Sequence, residues 1–177
     1  MSRLSKHMDS VHEVSCDKAS SEEQEQELQS KCETMKTSSC SPRVYVTRTT
    51  TFSAAHVLHS NKLTEKENKE IFGKCNNPNG HGHNYKVEVT VFDAVNPITG
   101  MVINLTDLKC YMDSAVMNVL DHKNISLDVP YFRDGVVSTV ENIAVFIWHQ
   151  MKAYVGDSLF EVKVYETDKN IATYRGE

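Results

Sequence analysis

Cys75-Asn-Asn-Pro-Asn-Gly80-His81-Gly82-His83-Asn-Tyr85-Lys-Val-Glu-Val89 puts a thiol, a tight turn and two imidazoles into nine residues and then runs into a strand. Strand side chains alternate between faces, so His81 and His83 point the same way, together with Tyr85, Val87 and Val89. Two imidazoles on one apolar face can hold one metal ion from two directions. A tetrahedral zinc needs a third protein ligand, and a catalytic zinc keeps its fourth position open. The rest of the chain can be read as supplying that ligand, a base and a pocket.

On the N-terminal side, Arg43 to His56 is β-rich, with Val44, Val46, Phe52, Ala54 and His56 on one parity. Thr64-Glu-Lys-Glu67 is a capping-box pattern that predicts a short helix ending at Gly73. On the C-terminal side the strand should run from His83 to Phe92. Asn96-Pro-Ile-Thr-Gly100 then predicts a hairpin turn into a strand over Met101–Leu105. Thr106 or Asp107 should cap a helix with Leu108, Tyr111 or Met112, Ala115 and Val119 inside. Ser138-Thr-Val-Glu141 reads as a second capping box, before a helix carrying Ile143, Ala144, Ile147, Trp148 and Met151 and stopping before Gly156. The last strand, Leu159 to Thr167, should face inward through Phe160, Val162, Val164 and Glu166. Two hairpins and two long helices make an α+β domain, a mostly antiparallel sheet with helices on one face.

Residues 1–42 differ in composition from the remainder of the chain. They contain no Phe, Tyr or Trp and are rich in Ser, Glu, Gln and Lys, too few apolar groups to offset the entropy of ordering. The division expected is a disordered tail over 1–42 and a folded domain over 43–177. A net charge of −5 gives no basic footprint for nucleic acid and no polybasic membrane anchor. No apolar run approaches the roughly 20 residues of a membrane span, and the N-terminus lacks a signal pattern. Five cysteines in irregular spacing make no disulfide framework, and a reducing, cytoplasmic setting is expected.

Four polar residues, His56, His81, His83 and Glu166, fall on apolar parities, a costly placement unless each finds a partner. Three neutral imidazoles suit zinc better than iron, which usually takes a carboxylate as well. Cys75 either closes the site as a fourth, structural ligand or faces a bound substrate; as a base it needs activation. Asp121-His122 is a candidate activating pair, or else a polar helix end in which His122 complements the dipole. Glu166 wants two donors, either an arginine such as Arg43 or Arg48 or a ligand with a guanidine-like edge. His59 and His149 read as surface residues, and Cys110 as a packing residue.

Phe52-Ser-Ala-Ala-His56, the Cys75–Tyr85 run, Gly100-Met-Val-Ile-Asn-Leu-Thr-Asp-Leu108, Leu120-Asp-His-Lys-Asn124 and Val164-Tyr-Glu-Thr167 together resemble the 6-pyruvoyl-tetrahydropterin synthase family from about Val44 onward. The resemblance implies a T-fold subunit with an antiparallel four-stranded sheet and two long helices on one face. Three subunits would close a twelve-stranded barrel, and two trimers would stack into a homohexamer. It also implies conversion of 7,8-dihydroneopterin triphosphate to 6-pyruvoyl-tetrahydropterin, with loss of triphosphate, in tetrahydrobiopterin synthesis. By the same resemblance His56, His81 and His83 bind Zn2+, Cys75 transfers the proton, and Asp121 with His122 completes its relay from a neighbouring subunit. Glu166 anchors the amino-pyrimidine edge of the pterin, with Thr139 and Glu141 as further substrate contacts. Where the family often shows Thr-Thr-Glu-Asn, this chain has Thr139-Val140-Glu141-Asn142. Two alternatives stand beside this reading. The 6-carboxy-tetrahydropterin synthases typically space their Cys and His-Gly-His by three residues rather than five, and a non-catalytic pterin- or zinc-binding T-fold protein would not need Cys75, Asp121 and His122.

Overall fold

The computed structural model describes Gln26, which is helical and exposed, and residues 41–177. The expectations for the rest of the tail lie outside the described residues. Four antiparallel strands form one sheet in the order β1-β2-β3-β4: β1 (Arg43–His56), β2 (His81–Ala94), β3 (Leu159–Tyr165) and β4 (Ile171–Tyr174). Helix α1 (Glu65–Phe72) lies between β1 and β2. Helix α2 (Leu105–Met112) runs through a π-helical turn (Asp113–Met117) into one more helical turn (Asn118–Leu120). Helix α3 (Val140–Val155) precedes β3.

The two long β strands pair along their whole length, from Arg43 opposite Ala94 to His56 opposite His81. Their shared inner face is apolar. Phe52 stacks on Tyr85 with ring centroids 4.9 Å apart, and Tyr85, Val87, Val89 and Val91 are fully buried. Against that face lie Leu108, Met112, Ala115 and Val116 of the α2 segment, and Ile143, Ala144, Phe146, Ile147, Trp148 and Met151 of α3. This is the helix-on-sheet core that the period-2 and period-3.6 patterns call for. Among the described residues no helix is long and apolar enough to cross a membrane.

Four expectations are corrected. The fourth strand is β4, not Met101–Leu105. Asn96 takes the Ile98 and Thr99 N–H groups on its side chain, and its own N–H donates to the Met101 carbonyl, so this turn closes on itself. Asn104 then caps α2 at once, accepting from the Thr106 N–H, and leaves no room for a strand. That cap also replaces the expected Thr106 or Asp107. Before α3, Thr139 rather than Ser138 is the cap residue, accepting from the Asn142 N–H at 3.4 Å. Finally, a bulge at Thr90/Val91 puts Leu159 opposite Val91, so Leu159 is buried and Phe160 turns to the other face. There Phe160 meets Tyr45 at 4.6 Å.

Beyond β3 the chain folds back because the Thr167 hydroxyl accepts from the Lys169 and Asn170 N–H groups. The β3 strand therefore ends one residue before Glu166, whose N–H donates to the Asn170 carbonyl at 3.0 Å. Glu166 is a turn residue at the end of an inward-facing row.

Candidate metal centre and active site

The strand pairing builds the centre. His56 is the last residue of β1, directly opposite His81, and His83 lies opposite Ala54, whose small side chain leaves space for the ring. The turn that aims His81 depends on Gly80. Its φ is +75°, and a Cβ there would sit 3.1 Å from the His56 carbonyl oxygen, so only glycine fits without a shift. The three rings gather with centroids 4.5 Å (His56–His81), 5.2 Å (His56–His83) and 5.0 Å (His81–His83) apart. One ring nitrogen from each lies within 4.8 Å of the other two, a spacing that could hold one metal ion.

Hydrogen bonding fixes the first of the three rings. The fully buried His56 donates its Nδ1–H to the Ser138 carbonyl at 2.7 Å, which leaves the Nε2 lone pair facing His81 Nε2 at 3.0 Å. Burial holds the His56 imidazole below the ordinary histidine pKa, and the nearby His81 and His83 add to that against the opposing pull of the Ser138 carbonyl and Glu166. Burial, then His83, likewise lower His81. Neutral imidazoles are the form a metal binds. His81 Nδ1 and His83 Nε2 are buried with no hydrogen-bond partner, an expensive arrangement that a cation among the rings would relieve for the nitrogens facing it. The donor set fits a metal.

Glu166 reaches the edge of this cluster. Its Oε1 lies 3.6 Å from His56 Nε2 and 3.9 Å from His83 Nε2, while Oε2 accepts from Asn170 at 3.4 Å. Of the two arginines offered as partners, Arg43 pairs with Asp93 at 3.8 Å, and the ion pairs of Glu166 are to His56 and His83 rather than to Arg43 or Arg48. The Cys75 sulfur is not part of the three-nitrogen group. Cys75 sits half-buried in a 3-10 turn (Gly73–Asn76), and its carbonyl accepts from the Leu58 N–H at 2.9 Å. Burial, and after it the charges of Glu166 and Cys75, raise the Tyr85 phenol, which lies 3.4 Å from His56 Nδ1.

Asp121 and His122 form a pair despite being adjacent. His122 adopts φ +58°, the left-handed region, and its N–H donates to the Ser53 carbonyl at 2.8 Å. This twist brings its Nδ1 to 2.8 Å from Asp121 Oδ2, while the Ser53 N–H donates to Asp121 Oδ1 at 3.0 Å. The Ser53 amide first, and then the His122 ring, hold the Asp121 carboxyl below its ordinary value. The His122 side chain is 84% exposed and points away from its own core. The remaining candidates are dispersed. Thr139 is half-buried and engaged as a helix cap, Glu141 and His149 are exposed, and Cys110 is exposed rather than packed. His59 is half-buried, lining a 520 Å³ cavity with Lys69, Asn76 and Arg133 instead of lying in open solvent. Three groups of the site are missing from the sequence reading: the Ser138 carbonyl, the Ser53 amide and the Tyr85 phenol. The first two are main-chain groups with no sequence signal, and the phenol sits on a strand parity that marks it only as core.

The sequence profile of the family described as 6-pyruvoyl tetrahydropterin synthase matches residues 45–177. The chain belongs to that family. The 6-pyruvoyl tetrahydrobiopterin synthase of Poecilia reticulata is 60% identical over 134 residues, covering 75% of this chain and 90% of that protein. The enzyme of the same name from Homo sapiens is 59% identical over 133 residues, covering 75% of this chain and 91% of that protein. The structure of Caenorhabditis elegans 6-pyruvoyl tetrahydropterin synthase superposes with a TM-score of 0.75 at 45% identity, over 78% of this chain and 99% of that one. In this 6-pyruvoyl tetrahydropterin synthase family member, the three-histidine cluster and the Glu166 carboxylate belong to the matched region, which leaves the first 44 residues outside it.

Proposed function

We propose that this chain catalyses conversion of 7,8-dihydroneopterin triphosphate to 6-pyruvoyl-tetrahydropterin with elimination of triphosphate, a carbon–oxygen lyase reaction of tetrahydrobiopterin synthesis. The domain responsible spans residues 43–177. The observation that carries the reading is the buried His56–His81–His83 group with Glu166 at its rim, in a chain of this family. Zn2+ is the metal these residues would hold, since three neutral imidazoles are its usual ligands at a catalytic centre.

When bound, zinc supplies Lewis-acid polarisation of the substrate side-chain oxygens and acidifies the neighbouring carbon-bound hydrogen. Glu166 accepts two parallel N–H bonds from the amino-pyrimidine edge, which fixes the ring so that the side chain reaches the histidines. Cys75 as thiolate removes the carbon-bound proton. Asp121 holds the His122 Nδ1–H, which directs Nε2 outward as the atom that takes up and returns a proton. Because the His122 ring is so exposed, the relay serves a Cys75 on a neighbouring subunit, in keeping with a hexamer made of two trimers. Thr139 and Glu141 are secondary pterin contacts, and Thr139 acts there in addition to its cap. A cytoplasmic enzyme is the matching cellular setting.

The test is turnover of the purified full chain on dihydroneopterin triphosphate, with products identified by mass and a chelator-treated sample in parallel. A pyruvoyl product that disappears on chelation and returns with zinc is expected. A carboxy product, or undiminished turnover without metal, would overturn the assignment.

A further inference from the structure

Val57, the residue after His56, has both of its main-chain polar groups tied to two serine hydroxyls from distant parts of the chain. Its N–H donates to Ser126 Oγ at 2.9 Å. Ser126 Oγ lies 2.7 Å from Ser138 Oγ, and each hydroxyl is also within reach of the Val57 carbonyl, at 3.2 Å and 3.3 Å. The protons balance around this loop. The Val57 N–H enters Ser126, the Ser126 O–H passes to Ser138, and the Ser138 O–H ends on the Val57 carbonyl; the reverse order of the two hydroxyls closes equally well. Ser138 is only 1% exposed, so a hydroxyl left out of this circuit has no water to turn to. The same Ser138 sends its carbonyl to His56 Nδ1 at 2.7 Å. One residue therefore grips the His56 ring by its main chain and the following peptide by its side chain.

We propose that Ser126 and Ser138 are positioning residues for the metal centre: their hydroxyl pair locks the His56–Val57 backbone to the segment whose carbonyl orients the His56 ring, and thereby sets metal affinity. The proposal rests on the reading of His56, His81 and His83 as metal ligands. Its physical basis is that β1 ends at His56. Beyond that point the sheet ladder no longer holds the chain, and the serine circuit takes over. The three segments it joins, the end of β1, the helical turn Ile125–Asp128 and the run before α3, are far apart in sequence, and the serine pair is the point at which all three meet at Val57. A small rotation of the His56 ring moves Nε2 out of the common point of the three nitrogens, whereas the fold itself, built on the β1–β2 core, is little affected.

The experiment uses the full-length protein, stripped of metal and reloaded. Zinc dissociation constants are measured by competition with a chromophoric chelator, and the cobalt(II) form is followed by its visible absorption. Ser126→Ala should weaken zinc binding about tenfold or more and shift the cobalt bands, with the melting of the metal-free protein still cooperative. Ser126→Thr, which keeps the hydroxyl, should restore both. Ser138→Ala should reproduce Ser126→Ala, because it breaks the same circuit while retaining the carbonyl. Unchanged zinc affinity and cobalt spectrum in both alanine variants would overturn the proposal, as would a loss that Ser126→Thr does not rescue. Wild-type protein that takes up no metal would overturn the metal-centre reading itself, and this proposal with it.

Discussion

Cys75 and His122 show how differently two candidate catalytic side chains are presented. Cys75 is half-buried and lies outside the three-nitrogen group. Cys75→Ala should abolish triphosphate release while zinc and pterin still bind; equal turnover in this variant, measured by released phosphate, would remove its role. His122 carries the left-handed backbone that a Cβ disfavours by roughly 1–2 kcal/mol. His122→Gly should therefore leave stability within about 1 kcal/mol of wild type in denaturant unfolding, yet lose turnover because the imidazole is gone. Asp121 is depressed below its ordinary 3.8 by the Ser53 amide and then by His122. The unfolded chain thus takes up that proton first on acidification, so the stabilisation is full above the ordinary value and is lost as pH falls through the depressed one. The melting-temperature gap between wild type and Asp121→Asn should accordingly be steady near neutrality and close only in strong acid.

Helix α3 and the two long strands are the elements that present the site. The strands deliver His56, His81 and His83 through register alone, and the parity count from Val44 to His56 holds because β1 runs unbroken to its last residue. Helix α3 contributes at its start, where Thr139 caps it immediately after the Ser138 carbonyl that orients His56. Thr139→Ala should cost about 1 kcal/mol in thermal or denaturant unfolding. If Thr139 also touches the pterin, the same variant raises KM with zinc content unchanged; an unaltered KM would confine it to the cap. Element-level reading fails where a single side chain decides the outcome. Asn104 captures the helix start and so erases the strand expected over Met101–Leu105. The bulge opposite Val91 reverses Phe160, since one extra residue flips every side chain beyond it.

Across the whole molecule, the sheet ends on β1 at one side and β4 at the other. Over Ser53–Ala55 the outer edge of β1 is covered by the Asp121–Asn124 segment: Ala55 N–H donates to the Lys123 carbonyl, and Ala55 bridges Asn124 in parallel. No other strand covers the earlier part of that edge among the described residues, which suits addition of a neighbouring subunit's strand. If the relay crosses that boundary, two inactive proteins should complement each other. Cys75→Ala and His122→Ala, dissociated, mixed and reassembled, should recover a fraction of wild-type turnover, with light scattering reporting the mass of the proposed assembly. No recovery in assemblies of mixed composition would place Cys75 and His122 of one subunit in the same site.

The sequence by itself determined the α+β class, the strand parities that align three histidines on one face, and the helix start at Thr64 and helix ends at Gly73 and Gly156. These are local consequences of period and of turn chemistry, legible wherever neighbours along the chain decide the outcome. Tertiary structure alone decided which carbonyl orients His56, that Cys75 stands outside the three-histidine group, that His122 bends back to Asp121 through a left-handed residue, and that the fourth strand lies at the C-terminus. Each of those depends on groups brought together from distant positions, many of them main-chain atoms that every residue carries and no motif records.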